Sequence, residues 1–194
     1  VIIGHEFSGE IVELGSKVTS FKKGDLVVGE PHNKHCGKCY LCRNGHIQNC
    51  MDKRSIGWGI DGSFTTYLVM PEKLLHKIPE GLSLKEAAMA EPAAIVAHQL
   101  LERARVTPGD NVVIMGVGPI ALLAAQMAKI AGAGKIILCG TNGDVDYRLK
   151  IADKLKEAYP EKKLEEIIVP FEQMCCHVDI ELIDTISMIQ FTLQ

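Results

Sequence analysis

Four cysteines within fifteen residues constrain this chain more than any other feature. They are Cys36, Cys39, Cys42 and Cys50, in the segment CGKCYLCRNGHIQNC, spaced C-x2-C-x2-C-x7-C. Four thiolates this close in sequence converge readily on one tetrahedral Zn²⁺ ion. Gly37 and Gly45 let the loop fold round the ion. With all four positions taken by protein, such a site is closed and structural, and metal binding becomes part of the folding energy of a lobe spanning about residues 32–52. A [4Fe–4S] cluster is an alternative, since it also takes four cysteines and the C-x2-C-x2-C run has ferredoxin-like spacing. Unrelated buried thiols fit the tight spacing poorly. A DNA-binding zinc module fits poorly too, because only Lys34, Lys38 and Arg43 are basic nearby.

Composition narrows the remaining choices. A chain of 194 residues predicts one large domain or two small ones. Its apolar fraction of 47% excludes disorder. With 21 basic against 24 acidic residues it carries no field for nucleic acid, and one Trp, four Tyr and five Phe make a poor base-stacking surface. The longest charge-free run, Asn111 to Ala128, contains Gly116, Gly118 and Pro119 and reads as strand, turn and helix rather than a membrane span. No targeting segment is visible, and the metal-like cysteine spacing points to a reducing cytoplasm. The chain opens on Val1 without a Met, as an excised piece would.

The two halves differ in texture. Residues 1–92 carry short β-type runs, Gly9–Leu14, Asp25–Gly29 and Phe64–Val69, separated by turn signals at Gly15-Ser16, Lys23-Gly24-Asp25 and Asp61-Gly62. Residues 93–194 alternate. A helical stretch over Leu84–Ala104, with Ser83 as N-cap, Glu86 at the capping-box position and Pro92 as a potential break, leads into this half. Strands are expected at Asn111–Met115, Lys135–Cys139 and Glu166–Val169, and helices at Ile120–Ala131 and Tyr147–Tyr159. Strand and helix alternating at this spacing imply parallel βαβ units.

Residues 111–121 read NVVIMGVGPIA. Gly116, Gly118 and Ala121 match G-x-G-x-x-G/A between an apolar strand and a helix, the context that a dinucleotide fingerprint requires. Gly116 permits the tight turn, Gly118 lets backbone approach a pyrophosphate, and Ala121 allows close helix–strand packing. The helix N-terminus, at Pro119 and Ile120, then faces the phosphates with free N–H groups. The next strand should end in an acid if it is to grip the ribose of NAD. It ends instead at Gly140-Thr141.

Residues 4–18 read GHEFSGEIVELGSKV, and His5 and Glu6 are both competent zinc ligands. Adjacent side chains on a strand point to opposite faces, so both reach one metal only if the backbone bends there.

Taken together, the chain resembles the zinc-dependent medium-chain alcohol dehydrogenases. Gly4, His5, Glu6, Gly9, Gly15 and Val18 match the G-H-E zinc signature of that family. The Lys23–Val27 turn, the four-cysteine lobe, Asp61-Gly62-Ser63-Phe64, Glu91-Pro92 and the glycine loop follow in the family's order, continuously to about residue 155. Glu91-Pro92 makes the resemblance strongest to the polyol, or sorbitol-type, dehydrogenases. The fold implied is a partial β-rich GroES-like zinc domain over 1–92, followed by a partial Rossmann dinucleotide-binding domain over 93–194.

The resemblance implies a catalytic zinc held by His5, Glu6 and Glu91, one glutamate as ligand and the other as its partner. It also implies a structural zinc on Cys36, Cys39, Cys42 and Cys50. A further ligand in the family is a cysteine well upstream of the Gly-His-Glu motif. The cofactor implied is NAD or NADP, at Gly116, Gly118, Pro119, Ile120, Gly140, Thr141 and Arg148. In sorbitol-type enzymes an Asp usually stands where Gly140 stands, so this chain leans towards tolerating NADP, with Asp144 and Asp146 as acids that would restore NAD preference. The activity implied is hydride transfer between a small polyol or secondary alcohol and NAD(P), in a cytoplasmic homo-oligomer without nucleic-acid or membrane partners.

Beyond about residue 158 the resemblance fades, and a truncated or frameshifted reading would produce such a tail. Cys175, Cys176 and His177 read as part of a buried apolar tail rather than a metal site. The competing expectation for the chain is a non-catalytic, zinc-stabilised nucleotide-binding remnant. A zinc-free quinone reductase fits least, lacking both the cysteine lobe and the Gly-His-Glu pair.

Overall fold

Turn signals and short apolar runs leave the first ninety residues little regular structure, and that is what the computed structural model shows. It describes residues 1–32, 34–144, 147–148, 150–152, 154, 164–168 and 186–190. The chain divides into two compact units, Val1–Glu91 and Pro92–Gln194.

In the first unit, β1 (Ser8–Glu10), β2 (Leu26–Gly29) and a later strand at Leu75–Lys77 form an antiparallel sheet with β2 in the centre. Gly9 sits opposite Val27, and Val27 opposite Lys77. Between β2 and that last strand lie the cysteine lobe, with the short helix α1 (Tyr40–Arg43), and two two-residue strands, β3 (Ser55–Ile56) and β4 (Gly59–Ile60). The strand at Leu75–Lys77 is therefore β5. Ile11, Val27, Cys50, Ile56, Leu74 and Ala87 are the buried apolar residues described here, a thin core for ninety residues. A unit so sparsely packed gains most from a metal staple.

Phe64–Val69 was expected as a strand and is not one. Its β-type residues do not form a buried face, since Phe64, Tyr67 and Val69 are all exposed. The N–H groups that open the run are spent elsewhere: Ser63 donates to the Gly4 carbonyl and Phe64 to that of Ile3. The Gly9–Leu14 run is shortened to β1: Ile11 still donates to the Asp25 carbonyl opposite it, but its own carbonyl accepts from Gly24, and the regular pairing ends there.

One short helix ends this unit, and a second begins in it and runs past its boundary at Glu91. In α2 (Leu84–Ala87), Ser83 and Glu86 form the expected reciprocal capping box. The break falls at Ala88-Met89, and α3 (Ala90–Ala97) restarts with Glu91 in its first turn. Pro92 sits one residue further on, where a missing N–H costs no intrahelical bond. The helical path continues as a π-helical turn over His98–Arg103.

The second unit is a four-stranded parallel sheet. Its strands are β6 (Asn111–Met115), β7 (Lys135–Gly140), β8 (Leu164–Ile168) and β9 (Ile186–Gln190), in the order β8-β7-β6-β9. The helix α4 (Pro119–Ile130) joins β6 to β7 and buries Ala121, Ala124, Ala125 and Ala128, one face at helical spacing. These small side chains let α4 lie close on Val112, Ile114 and Leu138, which are fully buried.

The third strand was expected at Glu166–Val169 and is found at 164–168, parallel to β7. β9 was not expected, because the tail carries no turn signal that marks it. It pairs with β6 in parallel, Val113 opposite Met188. Sheet order therefore reverses at β6, and the crevice beyond the carboxyl ends of β6 and β9 is where such sheets bind ligands. Of the helix expected at Tyr147–Tyr159, residues 148, 150–152 and 154 are helical and the rest lies outside the described residues, as do Cys175, Cys176 and His177.

Ile114→Ala should cost about 2–5 kcal/mol, because it empties a fully buried site between β6 and its neighbours. The denaturant midpoint of the chain reads this directly. A shift worth less than about 0.5 kcal/mol would show that the sheet is not packed as described.

Candidate metal centres and nucleotide loop

The Gly-His-Glu segment is held chiefly through its backbone. Gly4 has φ +94°, a left-handed conformation, and its carbonyl passes directly over Gly57 and Gly62. A Cβ on Gly57 would stand 2.5 Å from the Gly4 oxygen; one on Gly62 would collide with that oxygen and lie 2.7 Å from Gly57 Cα. Hydrogen bonds lock this crossing. Gly62 N–H donates to the Ile2 carbonyl at 2.7 Å, Ser63 N–H to Gly4 at 2.9 Å and Phe64 N–H to Ile3 at 3.0 Å. Asp61 Oδ1 accepts from the Ile2 N–H at 2.8 Å, and the Ser63 hydroxyl donates to the Glu6 carbonyl at 3.3 Å. The segment is thus bent and off the sheet until β1 begins at Ser8.

That bend is what two neighbouring ligands require. His5, Glu6 and Glu91 each offer a ligand atom, and these atoms all lie within 4.8 Å of one another. His5 and Glu6 are exposed and Glu91 is partly buried. Burial pushes the Glu91 carboxyl above its ordinary value; His5 draws it down and Glu6 adds to the rise. An imidazole and two carboxylates are a donor set suited to zinc, and a cation there relieves the repulsion between the two acids.

The four cysteines also come together. Cys36 Sγ lies 3.9 Å from Cys42 Sγ, Cys39 Sγ lies 3.9 Å from Cys50 Sγ, and all four sulfurs fall within 4.8 Å of one another. A tetrahedron with Zn–S bonds of about 2.3 Å has edges of about 3.8 Å. The sulfurs therefore stand at the spacing of a single ion, and a four-iron cluster would hold them farther apart. N–H groups of Cys36, Cys39 and Cys42 point at the sulfurs of Cys50, Cys36 and Cys39, at 3.3–3.5 Å. N–H groups of Lys38 and Cys39 draw the Cys36 thiol down to about 6. Burial and the neighbouring thiols push Cys42 up to about 12. Cys36 is thus the readier thiolate of this pair, and Cys42 ionises only with a cation beside it.

Two histidines near these centres were not singled out by sequence. His32 Nδ1 lies 3.5 Å from the Ser55 hydroxyl, and burial lowers its pKa, as do the charges of Lys53 and His5. His35 Nδ1 is buried without a partner among the described residues. Neither belongs to a motif, so only the fold reveals them.

At the glycine loop, Gly116 has φ +111° and its N–H bonds the Cys139 carbonyl at 2.8 Å. A Cβ on Gly116 or Gly118 would meet open space. The glycines are therefore not required by the protein's own packing there, and the open space suits a close-approaching pyrophosphate. Gly118 caps α4 without a side-chain bond, and Pro119 and Ile120 open the helix. Gly140 ends β7; Thr141 and Arg148 both bond Asp144. Asp146 lies outside the described residues.

The comparisons with known proteins agree with this architecture. Residues 1–80 match the alcohol dehydrogenase GroES-like domain. The chain is 44% identical over 155 residues to a sorbitol dehydrogenase from Halalkalibacterium halodurans, an alignment covering 80% of this chain and 44% of the relative. It superposes on a zinc-binding dehydrogenase from Sinorhizobium meliloti 1021, bound to NADP, with TM-score 0.72 and 32% identity, covering 86% of this chain and 45% of the other. It also superposes on an alcohol dehydrogenase from Escherichia coli CFT073, complexed with NADH, with TM-score 0.74 and 28% identity, covering 99% of this chain and 61% of the other. The chain spans about half the length of the curated relatives it matches. Among the described residues no helix is long and apolar enough to cross a membrane.

Two outcomes follow from the geometry. Gly62→Ala should displace the Gly4 carbonyl, so that metal analysis finds the ion of His5, Glu6 and Glu91 lost while that of the four cysteines stays. Loss of both ions, or of neither, would contradict the crossing as the support of that trio. For the cysteine lobe, affinity for Co²⁺ or Zn²⁺ should fall as pH falls. The slope should include at least one proton per ion near neutrality, because Cys42 holds its proton up to about 12. It should steepen by about one proton below about 6, where Cys36 is protonated too. Thiolate-to-cobalt charge-transfer absorbance measures this.

Proposed function

Because the chain belongs to the zinc-type medium-chain alcohol dehydrogenase family, we propose that it carries the metal-holding and nucleotide-binding parts of an NAD(P)-dependent dehydrogenase acting on a polyol or secondary alcohol. The observation that carries this reading is the convergence of His5, Glu6 and Glu91, residues brought together from opposite ends of one unit. The 44% identity to a sorbitol dehydrogenase supports a polyol as the substrate class.

The residues divide the work. His5 offers an imidazole nitrogen, and Glu6 and Glu91 offer the carboxylates of the metal-holding group. Gly4, Gly57 and Gly62 fix the direction of the first two, and the first turn of α3 fixes the third. Cys36, Cys39, Cys42 and Cys50 shape their lobe round a second ion and take no part in chemistry, since a four-thiolate site leaves no ligand position for substrate. Gly116 and Gly118 open the space before α4, whose first-turn N–H groups face an anion there. When bound, the zinc ion supplies Lewis-acid polarisation of an alcohol oxygen and the dinucleotide supplies the hydride acceptor.

Location in the cytoplasm, supported by thiols that suit a reducing compartment, belongs to the same proposal, as does a homo-oligomeric full-length form. So do the boundaries read from the sequence, with the zinc-bearing domain over 1–92 and the dinucleotide-binding domain over 93–194.

The test is oxidation of sorbitol-like alcohols with NAD or NADP by the full-length protein, followed at the absorbance of the reduced nicotinamide. Turnover should be abolished by a chelator and restored by zinc. His5→Ala should lower kcat/KM on the order of a thousandfold, a loss of several kcal/mol of metal-assisted charge stabilisation. Turnover indifferent to both would contradict the proposal.

A further inference from the structure

Two segments must meet to form the trio of His5, Glu6 and Glu91. One carries His5 and Glu6 just before β1, and the other carries Glu91 in the first turn of α3. The Gly4 crossing directs only the first. Its hydrogen bonds run to Asp61, Gly62, Ser63 and Phe64, and none reaches α2 or α3. In the bare protein the trio also resists its own assembly, because Glu6 and Glu91 bring two carboxylates within 4.8 Å of each other. A tether between the two segments has to oppose that repulsion.

The Ser8 side chain makes one. Its hydroxyl donates to the Leu84 carbonyl at 2.6 Å, joining residues 76 apart. Among the described residues this is the one hydrogen bond between the stretch from Gly4 to Glu10 and the stretch from Ser83 to Glu91. Both of its ends are fixed. Ser8 lies in β1 opposite Val28, two residues after Glu6. Leu84 opens α2, a single turn closed at its start by the Ser83–Glu86 capping box. The same Leu84 carbonyl accepts from the Ala88 N–H at 3.0 Å, at the far end of that turn. Ala87 is buried, and α2 packs against β1. Holding Leu84 therefore holds Ala88, and Glu91 follows three residues later.

We propose that Ser8 is a positioning residue for the metal-holding trio: its bond to Leu84 clasps β1 to α2 and so sets how closely His5 and Glu6 approach Glu91. The proposal rests on the reading of that trio as a metal site. It asks little of the fold, since without Ser8 the Leu84 carbonyl keeps its bond from Ala88 and no buried group is orphaned.

Co²⁺ binding to the full-length protein, with zinc kept in the cysteine lobe, tests this without turnover. The ligand-field bands of the cobalt report occupancy and geometry, and metal analysis reports the zinc. Ser8→Ala should weaken Co²⁺ binding about tenfold or more and shift those bands, with the lobe's zinc retained. Ser8→Thr should recover most of the affinity, because it returns the hydroxyl. Glu72→Gln is the control for a purely structural loss. Glu72 accepts from the Thr19 and Ser20 N–H groups and clamps another turn of the same unit. That variant should lower the denaturant midpoint yet leave Co²⁺ affinity within about twofold.

A Ser8→Ala protein that binds Co²⁺ within about twofold of wild type overturns the proposal and leaves the metal site standing. So does one that loses cobalt and zinc alike, or a Ser8→Thr protein no better than Ser8→Ala. A Glu72→Gln protein weakened as much as Ser8→Ala also overturns it, because the effect would then be one of general stability. A wild-type protein that takes up no ion beyond the lobe's zinc overturns the reading of the trio itself, and this proposal with it.

Discussion

Backbone passing over backbone at Gly4, Gly57 and Gly62 is the constraint on which the metal-holding end of this protein depends. Three residues without side chains let two strands of chain approach to a distance no Cβ tolerates. The left-handed Gly4 then turns His5 and Glu6 out of the sheet direction that β1 takes up only at Ser8. Asp61 and Ser63 close the crossing from the other side, the first on the Ile2 N–H and the second on the Glu6 carbonyl. The Asp-Gly-Ser-Phe run is therefore a clamp on the ligand segment, although it supplies no ligand itself.

A second constraint is the thinness of the first unit's core. With only a few buried apolar residues described, the unit relies on hydrogen-bonded turns and on the lobe of four thiolates. N–H groups aimed at the sulfurs prepare the lobe for a cation, yet Cys42 resists ionising until the cation arrives. Folding and metal loading are thus one process there. The second unit is different in kind. Its sheet is packed by Val112, Ile114 and Leu138 under an alanine face of α4, and that packing leaves the glycine loop open.

What could be read from the sequence follows how local each feature is. The cysteine lobe spans fifteen residues, and its spacing alone implied the convergence that the sulfur distances show. The glycine loop sits between β6 and α4, where the strand–turn–helix pattern placed it. Glu91 stands 85 residues beyond Glu6, and only resemblance to a family could pair them. The role of Gly57 and Gly62 was invisible, because close approach between distant backbones leaves no periodic signal. Phe64–Val69 misled because β-type residues after a turn signal read as a strand, whereas Phe64, Tyr67 and Val69 are exposed. β9 was missed because the tail offers neither a motif nor punctuation, and its place beside β6 is a tertiary choice.

X-ray absorption at the zinc edge of the metal-loaded chain tests the central claim most directly. The account predicts two ions per chain in two surroundings: sulfur at about 2.3 Å from the cysteine lobe, and nitrogen and oxygen at about 2.0–2.2 Å from His5, Glu6 and Glu91. A single ion per chain surrounded by sulfur alone would contradict it, and would leave the chain a zinc-stabilised nucleotide-binding module without a catalytic metal.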